Sequence, residues 1–403
     1  MKLWAGQTVS ELGTVVTRTA IPLVALLVLG AGPTEMALLV VSASSAVLIV
    51  GLVAGVWVDR LPRRPLLIWS DVVRAALLLS IPLAHGFGAL RIEHLYFVMF
   101  LEACLGALFD AAYPAYVPSL IGADRVLDGN SKLATSSSIA EIGGPGLAGG
   151  LVQLISAPLA ILVDAVSFVV SAISLVAIRT PEPPRPLREL RLTVIAEVRE
   201  GLAVVRRHAL IFPLALNNVV EHFFGSFYAV LYSIYLLDEL HLEPFLLGIV
   251  ISAGGVGSLV GSLAAGRVAG VLGVGRAIVV MGLASSALGV LTPLAQGPLA
   301  VATLMVFLPQ LIGDGLKTVQ GIGEITLRQR VVPDRVLGRV NATMEVLSHG
   351  VGPFGALVAA VVAEAFGVRA GIAVGWAGLA LSNVILLLSP VRRVGDPEAW
   401  KTS

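Results

Sequence analysis

Charge is what this sequence has least of. Its 27 basic and 26 acidic residues make up 13% of 403 positions, roughly half the share found in an ordinary soluble domain. The net balance of +1 leaves no bulk field to hold a nucleic acid or another polyanion. Cysteine is nearly missing as well: Cys104 stands alone, which excludes an intrachain disulfide and a thiolate metal cage. No GxxxxGK[ST] phosphate loop occurs, so ATP is not the direct fuel. Neither HExxH, GxSxG nor a His/Cys group at zinc spacing points to a hydrolase or a metal centre. No enzyme activity, no cofactor and no metal are expected. What is there is apolar: 57% of residues are hydrophobic and the mean hydropathy is +0.92, values that belong to a membrane protein.

A spanning helix takes about 20 apolar residues, so this length holds about a dozen and little else. Apolar blocks between Gly, Pro and charge place spans at 4–29, 35–58, 66–85, 94–116, 132–154 and 158–178. A second set falls at 209–236, 245–268, 275–295, 298–322, 338–364 and 370–389. The prediction is an all-α membrane protein of twelve transmembrane helices in two pseudo-symmetric six-helix bundles, 1–178 and 209–390. Between them, 179–208 carries Pro181, Pro183, Pro184 and Pro186, then Arg188, Arg191, Arg199, Arg206 and Arg207, and predicts a linker on the membrane surface. Residues 391–403 are expected to be a cytoplasmic tail. Lys2 precedes an apolar stretch broken by Glu11 and Arg18, which is expected to be the first span and not a cleavable signal peptide.

Cytoplasmic loops retain Lys and Arg. Here the even-numbered loops and the termini hold nearly all of them, including Arg60, Arg63, Arg64, Arg276, Arg335, Arg339 and Arg392, against only Arg91 and Arg369 on the other side. Both termini are therefore expected in the cytoplasm. The two halves also repeat one plan. Asp124 to Leu127 recurs as Asp334 to Leu337, and each copy is followed by a glycine and proline cluster, Gly143 to Gly146 and Gly352 to Gly355. Gly51 and Gly55 have counterparts in Gly257 and Gly261. The Gly143 to Gly150 run is expected to let backbones approach closely.

The loop after the second span runs Gly55, Val56, Trp57, Val58, Asp59, Arg60, Leu61, Pro62, Arg63, Arg64. It resembles the signature loop of the major facilitator superfamily. Within that superfamily the chain is similar to the bacterial group of macrolide efflux pumps and the enterobactin exporter. The shared features are Asp164, Ser167 and Phe168 in span six, the proline-rich linker, and Pro333, Asp334, Gly338, Arg339, Val340 and Asn341 around the start of span eleven. Pro62 stands where the family usually has glycine, and the second-half copy of the loop has lost its acid, with Ala265 at the position that corresponds to Asp59. The resemblance implies a gate built from Gly55, Asp59, Arg60, Arg63, Arg64 and Asp124, with Asp59 near the start of helix eleven at Leu337 and Arg64 paired with Asp124. A carboxylate at a helix start gains about 0.3–1 kcal/mol from the free N–H groups there.

Charges inside a bilayer are costly and face a cavity or a partner. Span one carries Glu11, Thr14 and Arg18; span four Glu102 and Asp110; span seven Asn217, Asn218, Glu221 and His222; span ten Gln310, Asp314, Lys317 and Glu324. Spans nine and twelve carry none at depth. In the resembled family helices one, four, seven and ten line the central cavity. Asn217, Glu221, Tyr228 and Tyr232 form one polar stripe and Gln310, Asp314 and Lys317 another. With Phe223, Phe224 and Phe227 they would suit an amphipathic organic molecule. Candidate cavity residues are thus Glu11, Arg18, Glu102, Asn217, Glu221, His222, Tyr228, Tyr232, Gln310, Asp314 and Lys317.

Expected pairings are Asp314 with Lys317, Arg18 with Glu11 or Glu102, and Asp71 with Arg74. Glu221 is the first candidate for proton coupling, with Glu11 and Asp110 behind it. His222 and His349 are expected to be packing residues, and Glu141, Asp164 and Glu345 interhelical hydrogen-bonding groups. The resulting expectation is a monomeric secondary transporter in a bacterial inner membrane. It would export a small amphipathic molecule, a drug-like compound or a siderophore, in exchange for protons by alternating access. Its partners are that substrate, protons and the lipid bilayer. An uncoupled facilitator, a lipid flippase and a non-transporting membrane receptor are the alternatives.

Overall fold

The structure is a computed structural model that describes residues 2–121, 126–178 and 194–395. Regular structure among the described residues is entirely helical. The first seven helices are α1 (Lys2–Leu27), α2 (Pro33–Arg60), α3 (Arg63–Gly86), α4 (Ile92–Ile121), α5 (Val126–Leu154), α6 (Ala157–Ala160) and α7 (Leu162–Val176). They are followed by α8 (Val194–Arg207), α9 (Ile211–Ile234), α10 (Pro244–Leu272), α11 (Val274–Gly289) and α12 (Leu291–Leu294). The last four are α13 (Leu299–Leu308), α14 (Asp314–Val331), α15 (Asp334–Phe366) and α16 (Val368–Leu388).

Eleven helices among the described residues are long and apolar enough to cross a membrane. The twelfth expected span is α5. It has 29 residues, ample length, but its first half carries Asp128, Asn130, Ser131, Lys132, Thr135, three further serines and Glu141. Helix ends also run past the apolar limits read from sequence. The tenth span reaches Val331 rather than 322, and the eleventh begins at Asp334 rather than 338. A helix continues until its backbone is capped or interrupted, here at Pro333, whereas hydropathy marks only the part that needs lipid. Gly367, at φ 90°, makes the left-handed turn that lets α16 start directly after α15.

Two compact units make up the chain. The first holds α1–α7 together with Glu243–Ser252, the opening turns of α10; the second holds α8, α9 and the chain from Ala253 onward. In the first unit α1 packs on α5 and α7, α3 on α4 and α7, and α2 on α4. The close approach expected of the α5 glycine run falls at Gly149, where a Cβ would collide with the Pro244 carbonyl. Gly248 meets the Pro145 carbonyl in the same way. In the second unit α9 lies between α15 and α16, and α11 packs on α14. The end of the predicted linker is helical: α8 packs on α15, with Gly201 against the Arg339 backbone. The proline-rich part, 179–193, lies outside the described residues.

Candidate functional site

Polar side chains on α9 and on the tenth span meet inside the second unit. The tenth span is not a continuous α-helix. Pro309 lacks an N–H, and the backbone widens into a π-turn over Pro309–Gly313 before α14 resumes. Gln310 lies in that turn and Asp314 directly after it. They border a hollow of about 300 Å³ that Glu221, Tyr228, Tyr232 and Lys317 also line. The Lys317 ammonium lies 3.0 Å from the Glu221 carboxylate. The expected pair of Lys317 with Asp314 is therefore corrected: the nearer acid in sequence is not the one the salt bridge joins. Glu221 is likewise not the solitary carboxylate that its candidacy assumed. Tyr228 and Tyr232 stack obliquely with ring centroids 5.9 Å apart.

Spans nine and twelve complete this hollow, although neither carries charge at depth. Ser285 and Ser286 come from α11, and Trp376 and Asn383 from α16. Trp376 Nε1 donates to the Ser286 carbonyl at 2.8 Å, and Asn383 Nδ2 donates to Ser286 Oγ at 2.9 Å. Counting charges misses these neutral groups. The seven-residue spacing of Trp376 and Asn383, which puts both on one helix face, was the available signal.

Other predicted cavity residues lie elsewhere. Asn217 is fully buried, and its Nδ2 donates to Glu324 at 3.4 Å, as does that of Asn218; Gln320 Nε2 adds a bond of 2.9 Å. These three amides hold the Glu324 carboxylate, which sequence reading left without a partner. His222 turns toward His349 on α15, ring centroids 5.2 Å apart, and each Nδ1 bonds the carbonyl four residues back in its own helix. Phe224 packs into the space left by Gly378 and Phe227 is fully buried, so these two rings are core.

The first unit contains a smaller hollow of about 250 Å³, lined by Glu11, Asp110, Gln7, Tyr113 and Ser137 among others. Gln7 Nε2 donates to Glu11 at 3.1 Å. Arg18 pairs with neither Glu11 nor Glu102 but with Glu141 on α5, at 3.0 Å. Both side chains are about half exposed or more open than that, 66% and 49%. Glu102 is taken by Arg74, whose Nε donates to it at 3.0 Å. The expected local pair of Arg74 with Asp71 is corrected accordingly.

Gly55 lies within α2, while the side chains of Asp59 and Arg60, and residue Asp124 entirely, lie outside the described residues. Arg64 is described. Its Nε and Nη2 donate to the carbonyls of Leu175 and Val176 at 3.1 and 2.8 Å, which caps the last turn of α7. A cation at a helix C-terminus satisfies carbonyls that have no partner in the helix. This is the role seen for Arg64; the expected pair with Asp124 falls outside the described residues.

Eleven helices able to cross a membrane among the described residues, with ionisable hollows between them, define a multi-pass membrane protein. The chain belongs to the Major Facilitator Superfamily, whose family model matches residues 3–353. It is similar to the multidrug efflux pump Tap of Mycolicibacterium fortuitum, 28% identical over 359 residues that span 85% of this chain and 83% of that one. It is also similar to macrolide efflux protein A of Streptococcus pyogenes, 25% identical over 262 residues, 65% of this chain and 64% of that one. Among solved structures, a bacterial homologue of the iron transporter ferroportin in an inward-facing state shares the fold. Its TM-score is 0.72 at 20% identity, over 100% of this chain and 98% of that one.

Proposed function

We propose that this secondary transporter exports small amphipathic organic molecules, of the drug-like or siderophore kind, in exchange for protons. The observation that carries the reading is the hollow of about 300 Å³ in the second unit. Tyr228, Tyr232 and Trp376 give it apolar area for affinity, while Glu221, Asp314 and Lys317 give it charge for orientation. Two carboxylates against one ammonium sum to −1. One proton brings the hollow to neutrality and lowers the cost of closing it off from water. Glu221 is the first proton carrier in this scheme, with Asp314 left to balance the Lys317 charge once Glu221 is protonated, and Glu11 and Asp110 are its counterparts in the smaller hollow. Two relatives bear efflux in their names, which supports the outward direction. Alternating access by two six-helix bundles, a gate containing Asp59, cytoplasmic termini and a monomeric carrier in a bacterial inner membrane belong to the same proposal.

The test uses everted membrane vesicles containing the protein, with erythromycin and ethidium as probes. Uphill uptake that collapses with a protonophore is the expected result. Flux that ignores the protonophore would make the protein a facilitator, and bound probe without flux a receptor; either overturns the proposal.

A further inference from the structure

Four ionisable residues meet inside the first unit and line neither hollow: Asp71 and Arg74 on α3, Glu102 on α4 and Asp164 on α7. Asp71 and Asp164 are both 0% exposed. Arg74 is the cation they share, and it is already engaged. Its Nε and Nη2 both bond Glu102 Oε1, and its guanidinium lies 4.0 Å above the centre of the Phe168 ring. One positive charge is thereby matched by one carboxylate, and two buried carboxyls remain.

Neither of these has a counter-charge to itself. Asp71 has the Ser171 hydroxyl and Arg74 as polar neighbours, yet neither of its oxygens accepts a hydrogen bond of good geometry from any described residue. Asp164 Oδ1 accepts from Ser167 Oγ at 2.8 Å, while Oδ2 has no such donor among the described residues, with Thr17 of α1 facing the carboxyl. Gly13 covers this site so closely that a Cβ there would collide with Asp164 Oδ1 and Ser167 Oγ. Asp110 faces the cluster from α4 and brings Glu11 and Arg18 within electrostatic range. A buried carboxylate with neither a full set of donors nor a cation of its own is strongly disfavoured, whereas the neutral acid is not.

We propose that Asp71 and Asp164 hold protons, and that Arg74 is a counter-ion exchanged between Glu102 and Asp164, which makes this cluster a second proton-binding site. In one step the proton leaves the Asp164 carboxyl and arrives on the Glu102 carboxylate, and the Arg74 guanidinium moves from Glu102 to Asp164. One proton is transferred, none is created, and a single ion pair exists before and after. That the two carboxyls are protonated stands apart from any transport; their part in coupling rests on the antiport reading above.

The deciding experiment is infrared difference spectroscopy of the full chain in lipid nanodiscs, titrated across the neutral range. The wild type is expected to show the carbonyl stretch of buried carboxylic acids, reduced in Asp164→Asn and further reduced in Asp71→Asn/Asp164→Asn. An identical band in the double variant overturns the proposal. Glu102→Gln leaves both aspartates in place but frees Arg74, so the Asp164 band should fall as that group ionises. An unchanged band there overturns the exchange. In everted vesicles with erythromycin and ethidium, Asp164→Asn should lose uphill uptake and keep downhill exchange, and wild-type uphill uptake would remove the site from coupling. If the wild type moves neither probe, the transport reading fails while the infrared result still decides protonation.

Discussion

Lys317 on α14 and Glu221 on α9 form a salt bridge of 3.0 Å between two helices 96 residues apart in sequence, at the wall of the larger hollow. Removal of Lys317 alone leaves the Glu221 and Asp314 carboxylates with no ammonium beside them, while removal of Glu221 as well leaves one carboxylate fewer to compensate. Glu221→Gln should therefore abolish proton-driven efflux while folded protein remains in the membrane. Lys317→Gln should lower thermal stability more than the Glu221→Gln/Lys317→Gln pair does. Thermal unfolding in detergent, with uphill transport of both probes, checks this. Uphill transport by Glu221→Gln equal to wild type would remove that residue from the mechanism.

Glu324 depends on three amide donors and accepts from all of them. Glu324→Gln puts a donor where an acceptor is needed. The expected cost is about 1–3 kcal/mol, the penalty of a buried polar group left without its partner. The midpoint of unfolding should fall accordingly, and recovery in a variant that also replaces Asn218, the donor to Oε2, with Asp would identify the clash of donors as the cause.

Arg64 should be hard to replace. Arg64→Ala exposes the Leu175 and Val176 carbonyls at the end of α7, at a cost of about 1–2 kcal/mol. Arg64→Lys, with one charge but no fork, should recover only part of it. Hydrogen exchange localised to the last turn of α7 reads this directly; unchanged protection there would refute the capping role.

His208 gives the protein a pH dependence outside the membrane. Burial pushes its imidazole below the ordinary value of 6.5. Its Nδ1 accepts from the backbone N–H of Leu210 and Ile211 at 3.2 and 3.4 Å, at the start of α9. Protonation would turn that acceptor into a donor facing two donors. Because the unfolded chain binds the proton more readily, this contribution to stability is fully present above 6.5 and is lost as the pH falls through the lower, folded value. Stability should decline on acidification below 6.5, and the decline should shrink in His208→Ala.

Gly149→Ala tests the tight contact of α5 with the first turn of α10. Its Cβ meets a backbone carbonyl, which cannot rotate away as a side chain can. Overpacking of this kind costs about 1–3 kcal/mol. Gly143→Ala, with open space around it, serves as the control that should be neutral to stability.

Much of this architecture is legible in the order of residues, for a physical reason. Lipid demands about 20 apolar residues per span, and such runs are visible without knowledge of any contact. α5 shows the limit, since its polar first half weakens the signal although the helix is continuous. The residues that would be ionisable within spans were likewise visible, but their partners were not. Whether Lys317 meets Asp314 or Glu221, and whether Arg74 meets Asp71 or Glu102, depends on the rotation of neighbouring helices. No spacing within one helix encodes that rotation. Neutral lining groups such as Ser286 and Asn383 escaped because nothing in their chemistry separates them from ordinary helix-packing polars.

The wide turn at Pro309–Gly313 has a geometric sequel. It inserts one residue into the winding of the tenth span, so everything after it is turned by about 100° from where an unbroken coil would carry it. Lys317, Gln320 and Glu324 owe their common aim to that offset. A deletion of Ile312 alone would take out the extra residue and the offset together and leave Lys317, Gln320 and Glu324 aimed at Glu221, Asn217 and Asn218, whereas the full-length chain wound without the turn would misdirect all three without a change to any of them.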